Sequence, residues 1–303
     1  MNTTNIVQTV KYSFVAILAA IIFVSCGTTP FTGRRQLLLV PNSTVLALSL
    51  QQYNEFMSTA NVVTDTPEAE MVQRVGYRIS RAVEIFYRNN GMEAELRNFN
   101  WSFSLVENPS VNAFALPGGK VVIYTGLLPV TQTEEALAVV VGHEIAHIIA
   151  HHATERVSQQ LALQGVGVLG GALLGNSQRA QIGMAVFGLG AQYGVMLPFS
   201  RQQEHEADEI GLAIMALAGY DPRAAVPFWT RMMQMGSGGN IPAFLSTHPS
   251  DAARIAHIES VMHYALMFYA GAGVINPTTD PIQTNVEIPQ TAPEPETSPQ
   301  WTF

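Results

Sequence analysis

Apolar and polar positions along the chain follow distinct rhythms, and each predicts a different kind of element. From Ser43 to about Asn89 the apolar residues recur three and four apart, with Met71, Val75, Ile79 and Val83 on one line. That is the spacing of amphipathic helices that bury one face. Trp101-Ser102-Phe103-Ser104-Leu105 then alternates strictly, as a half-buried strand does. Val111 to Phe114 and Val121 to Tyr124 flank Pro117-Gly118-Gly119, which predicts a hairpin. Helical spacing resumes behind Thr131 and Glu134, read as a capping-box pair, and predicts one long helix over about 133–163. A further helix is expected over about 201–218, and another from Asp221-Pro222 with Pro227 kinking it. A last one runs from a Ser250 cap to about Met267. The fold class is α+β: mainly helical, with a small sheet and hairpin beside a long central helix.

Between Leu161 and Phe199 the chain is apolar and glycine-rich, broken at Asn176-Ser177-Gln178-Arg179 and interrupted by Gln181 and Gln192. A transmembrane helix is not expected there, and two readings stay open: a buried helical hairpin, or a lid or membrane-touching flap. The two ends differ from the middle. An apolar run from Phe14 to Val24 follows Lys11, has the length of a secretion-signal core, and ends in Ser25-Cys26-Gly27. It resembles a bacterial lipoprotein signal, in which the cysteine becomes the lipidated first residue. The expected organisation is a signal peptide over 1–25, a lipidated tether over 26–42, one globular domain over 43–275, and a disordered Pro/Thr-rich tail over 276–303. No repeat with the period of tetratricopeptide arrays is present.

Composition narrows the chemistry. Among 303 residues, 15 basic against 23 acidic side chains give a formal charge of -8, which repels nucleic acid, so no nucleic-acid partner is expected. One cysteine excludes an internal disulfide and any cysteine-rich zinc module. A metal site would have to come from histidine and carboxylate.

His143-Glu144-Ile145-Ala146-His147 lies inside the predicted central helix. An i, i+4 spacing advances about 400 degrees and puts both imidazoles on one face, where they can grip one ion. Glu144, one position on, can reach a metal-activated water without binding the metal itself. The surrounding Leu137, Val139, Val140, Val141, Ile145 and Ile148 are apolar, and buried polar side chains in such a setting need partners. A third ligand is required from elsewhere. Ser200 to Asp208 is the best source: Glu204 and Asp208 share a helix face, so Glu204 can bind the ion while Asp208 accepts the outer ring proton of a ligand histidine. Spacing alone leaves His205 and Glu206 as rivals to Glu204.

Together, His143-Glu144-x-x-His147 and Ser200-Arg201-x-x-Glu204-x-x-Ala207-Asp208 resemble the HtpX and CAAX-prenyl-protease family of glutamate-zincin metallopeptidases, and most of all its periplasmic branch represented by BepA, LoiP and YcaL. Asn112-Ala113-Phe114, Gly219-Tyr220-Asp221-Pro222 and Ser246-Thr247-His248-Pro249 followed by Arg254 extend the likeness over roughly 45–268. The resemblance implies a zincin-like domain holding one Zn2+ on His143, His147 and Glu204, with Glu144 as general base and Asp208 behind the ligands. It also implies that Asn112, Ala113 and Phe114 contact substrate. His248 is a candidate for oxyanion stabilisation, for the open zinc position in a resting state, or for a cap hydrogen bond. Arg254 is a candidate partner of Asp208, Glu204 or substrate. His151, His152, His257 and His263 are read as solvated surface residues. The implied function is a zinc endopeptidase acting on unfolded or misfolded envelope proteins, lipid-anchored through Cys26 in the periplasm at the outer membrane. The alternative is a non-proteolytic, chaperone-like assembly lipoprotein.

Overall fold

The computed structural model describes residues 26–163, 200–237 and 241–272. The expected signal peptide, the hairpin-or-lid segment beyond residue 163 and the Pro/Thr-rich tail lie outside the described residues.

Four strands form one sheet in the order β3 (Val62–Val63), β4 (Ser102–Val106), β6 (Lys120–Tyr124) and β5 (Ala113–Leu116). The alternation seen in the sequence sets the face of β4: Phe103 and Leu105 are buried while Ser102 and Ser104 are half-buried. β5 and β6 pair antiparallel, with Ala113 opposite Ile123, joined by Gly118 and Gly119 at positive φ, and β5 is the outer strand. Helix α1 (Asn42–Thr59) packs on one face of the sheet through Tyr53 and Phe56, the latter edge-on to Phe114. On the other side lies α2 (Pro67–Asn89), capped by Thr66, with Val75, Ile79 and Val83 buried as the periodicity required. A short turn, α3 (Glu93–Leu96), leads from α2 back to β4.

The core is built around one helix. After the short α4 (Leu128–Thr131), α5 (Glu134–Ile149) is buried from Ala136 to Ile149. It is flanked by α7 (Arg201–Leu217), and α7 is covered on its far side by α10 (Ala252–Ala272). Between them run a 3-10 turn (Pro222–Ala224), α8 (Ala225–Ser237) and α9 (Ala243–Thr247). Among the described residues no single helix is long and apolar enough to cross a membrane.

Several local expectations are corrected. The helix expected over about 133–163 breaks in two: α5 ends at Ile149, His151 takes φ 54°, and α6 (His152–Leu163) departs at 54°. The cap of α5 is Thr133, which accepts from the Ala136 N–H, because Thr131 is spent closing α4. Pro227 falls in the first turn of α8, where its missing N–H has no intrahelical partner to lose. Asp251, not Ser250, caps α10 by accepting from the Arg254 N–H at 3.0 Å.

Residues 26–42, expected as a tether, are packed structure. β1 (Cys26–Thr28) and β2 (Arg35–Leu37) pair antiparallel, and the Leu39 N–H donates to Ser158 Oγ on α6 at 2.9 Å. Thr29 and Gln36 are buried. Without amphipathic periodicity in so short a stretch, only tertiary contacts reveal it.

Candidate metal centre

His143 and His147 leave the same face of α5 and bring their Nε2 atoms to 3.0 Å. Glu204, in the first turn of α7, lies 3.5 Å from His143 Nε2 and 3.4 Å from His147 Nε2. His248, at the end of α9, brings Nδ1 to 3.1 Å from His143 Nε2 and 3.0 Å from Glu204 Oε1. The ligand atoms of these four residues lie within 4.8 Å of one another. The rivals for the third position are turned away: His205 stacks on His257 at 4.3 Å, and Glu206 binds His152, Thr29, Thr32 and Arg34. Successive residues on a helix point about 100 degrees apart, so only one of the three can face the cluster.

The close crossing of α5 and α7 positions these donors. A Cβ on Gly142 would sit 2.8 Å from the Gly211 carbonyl oxygen, and one on Gly211 would sit 2.9 Å from the His143 nitrogen. Gly211→Ala is therefore expected to cost about 1–3 kcal/mol by overpacking. Because it pushes Glu204 and Asp208 away from α5, it should also weaken metal binding, measurable by thermal unfolding with and without zinc.

The outer nitrogens of both α5 imidazoles are engaged. His143 Nδ1 donates to Asp208 Oδ1 at 2.9 Å, and Asp208 is held by Arg254 through Nε and Nη2, both at 2.7 Å. Arg254 also reaches Glu204 Oε2 at 2.8 Å and lies 3.5 Å over the Trp229 ring, fully buried. His147 Nδ1 lies 2.8 Å from His152 Nδ1, and His152 Nε2 lies 2.9 Å from Glu206 Oε2. His152 is thus buried, against the expectation of a solvated residue. The bend at His151 swings α6 back over His147, so that a residue five positions on meets it. His257 is half-buried against His205, whereas His263 is exposed.

Charge follows from these contacts. Burial opposes the Glu204 carboxylate, yet His248, Arg254 and His143 hold its pKa well below the usual range. Burial likewise opposes Asp208, and Arg254 and His143 lower it. Burial alone would lower His248, but the Glu204 and Glu144 carboxylates raise it to about 9. Burial lowers His147 and His152. Glu144, 2% exposed, places Oε1 3.2 Å from His248 Nε2.

These donors fit a cation. With Asp208 accepting from His143 Nδ1 and His152 bonded to His147 Nδ1, both Nε2 lone pairs point at each other across 3.0 Å. Beside them the buried Glu204 carboxylate lies 3.5 Å from His143 Nε2 and 3.4 Å from His147 Nε2. An ion of the kind that imidazole and carboxylate bind satisfies this group, and two nitrogens with a carboxylate oxygen suit zinc.

Two imidazoles one helical turn apart, a carboxylate beside them and a third donor from a neighbouring helix define a metallopeptidase-type site. The chain belongs to peptidase family M48, whose model matches residues 72–262. It is 39% identical over 182 residues to mitochondrial metalloendopeptidase OMA1 of Schizosaccharomyces pombe, covering 60% of this chain and 51% of that one. It is 30% identical over 262 residues to OMA1 of Bos taurus, covering 84% and 49%. It is 36% identical over 161 residues to the beta-barrel assembly-enhancing protease of Escherichia coli, covering 51% and 33%. The chain thus spans about half the length of the first two of these relatives and a third of the last.

Proposed function

We propose that the protein is a zinc-dependent endopeptidase that cleaves unfolded or misassembled proteins of a cell envelope. The observation that carries this reading is the buried set His143, His147 and Glu204 with Glu144 beside it. Zinc held by those three residues would polarise a peptide carbonyl and make water acidic enough to be deprotonated near neutrality. Glu144 takes the proton of the attacking water and delivers it to the leaving amine. Asp208 fixes the His143 ring, and Arg254 fixes Asp208.

Substrate enters as an added strand. β5 is the outer strand of the sheet, and Asn112, Ala113 and Phe114 lie at its start. A segment paired there would be read through its backbone, which tolerates many sequences and suits unfolded protein. Asn112 Oδ1, buried without a hydrogen-bond partner, is an acceptor for a substrate N–H. The Ser25-Cys26-Gly27 sequence supports lipid anchoring at Cys26 and placement in the periplasm, at the outer membrane. The likeness to a beta-barrel assembly-enhancing protease supports an envelope substrate, while the likeness to mitochondrial endopeptidases leaves the catalytic reading the same.

His248 occupies the fourth side of the donor cluster, 3.1 Å from His143 Nε2. It closes the site at rest and must swing out for substrate. For a site open in fewer than about one molecule in ten, His248→Ala should raise hydrolysis by at least about tenfold. A fall in rate with metal retained would assign His248 to the reaction instead.

The test is cleavage of casein by the zinc-loaded protein. Hydrolysis should disappear with a chelator and return with zinc. Silence of both the parent and His248→Ala, with one zinc bound per chain, would favour the non-proteolytic assembly role.

A further inference from the structure

A chain of side chains runs from the N-terminal hairpin to the metal cluster. Thr29 Oγ1 donates to Glu206 Oε1 at 2.7 Å, Thr32 Oγ1 donates to the same oxygen, and Arg34 Nε donates to Glu206 Oε2 at 2.6 Å. The Arg34 fork continues to both oxygens of Glu155 at 2.8 and 2.7 Å. Glu206 faces His152 Nε2, and His152 Nδ1 faces His147 Nδ1. Five positions separate His147 from His152, and more than 170 separate Glu206 from the hairpin loop, so the contacts are tertiary and converge on one imidazole.

The chemistry of the chain has a direction. Arginine offers only donors and the threonine hydroxyls donate here, so Glu206 is held as an acceptor and takes the proton on His152 Nε2. A neutral His152 then has its lone pair at Nδ1 and accepts the proton on His147 Nδ1. That leaves the Nε2 lone pair of His147 aimed into the cluster, the tautomer a metal requires. His143 reaches the same state by a separate route, through Asp208 and Arg254. The two routes come from opposite ends of the described sequence: α10 braces His143, and the loop between β1 and β2 braces His147.

We propose that His152 and Glu206 are positioning residues for the metal ligand His147, and that the Thr29–Arg34 loop, three residues beyond Cys26, is the brace that holds them. This deepens the metal-site reading above and rests on it. The segment nearest the expected membrane anchor thereby acts on the metal centre, so docking of that loop and metal affinity are coupled.

The experiment uses the full chain and compares the parent with Glu206→Gln and with the double variant Thr29→Val/Thr32→Val. Zinc affinity is measured by competition with a chelating dye, and the ligand field is read from the visible absorption of the cobalt-substituted protein. Far-ultraviolet circular dichroism reports the fold of the metal-free forms. Binding of one ion by the parent tests the metal site itself, independently of the variants. The expected result is about 10–100-fold weaker binding in Glu206→Gln with an altered cobalt spectrum, and a smaller loss in the same direction for the threonine variant. The metal-free fold should persist in both. Should Glu206→Gln not fold, the threonine variant decides, because its changes lie two residues removed from His147. Folded variants that match the parent in both affinity and cobalt spectrum would overturn the proposal. So would a weaker affinity with an unchanged spectrum, which is what a merely looser fold produces.

Discussion

Glu144→Gln is expected to leave folding and zinc content as in the parent and to reduce casein hydrolysis by about 10²–10⁴-fold, the usual worth of a positioned general base. The change is isosteric, and Glu144 is not among the residues whose donor atoms cluster for the ion, so the ligand set stays whole. What is lost is the capacity to accept a proton. Glu144 is buried, with Oε1 3.2 Å from His248 Nε2. A buried carboxylate in an apolar helix is costly to maintain, and a reaction that uses it explains why it is there. Metal analysis and a casein assay on the same samples check the result. Residual activity within about tenfold of the parent, at full zinc occupancy, would remove Glu144 from the base role, since a base is worth at least 10²-fold.

The parts of this site that were legible in the sequence are those fixed by helical period. His143 and His147 lie one turn apart, and Glu204 and Asp208 repeat the same spacing on α7; the structure brings all four together. Strand alternation placed Phe103 and Leu105 inward for the same reason. What could not be read is whatever depends on a break in a period. On a straight helix His152 would point about 140 degrees away from His147, which made it look like a surface residue. The single left-handed residue His151 redirects α6 and reverses that inference. Glu206 was a rival ligand until the N-terminal loop supplied partners that spacing along α7 cannot show. That loop has neither helical nor strand rhythm, and its contacts cross more than 120 residues of chain. The Gly142 and Gly211 contact was equally silent, because a glycine inside a helix reads as a weakness until the partner helix is known.

Arg254→Met is expected to destabilise the metal-free protein by about 3–5 kcal/mol, the cost of removing one partner from a buried ion pair. Arg254 is 1% exposed, and its guanidinium serves two carboxylates at once, Asp208 at 2.7 Å and Glu204 at 2.8 Å, while lying 3.5 Å over Trp229. Methionine can fill much of that volume against Trp229 but leaves both carboxylates without the cation. Lysine restores a charge but not the planar fork, so Arg254→Lys should recover only part of the loss. The loss should also depend on metal. Zinc held, as proposed, by His143, His147 and Glu204 would supply a positive charge to Glu204 and to the ring that Asp208 supports, and so would offset part of what the arginine gave. Ligand binding to the native state alone adds further stability by mass action. Urea unfolding with a chelator and with excess zinc should therefore show a clearly smaller penalty for Arg254→Met in zinc. An equal penalty in both conditions would mean that Arg254 stabilises the fold through packing on Trp229 rather than by balancing the charge of the metal site.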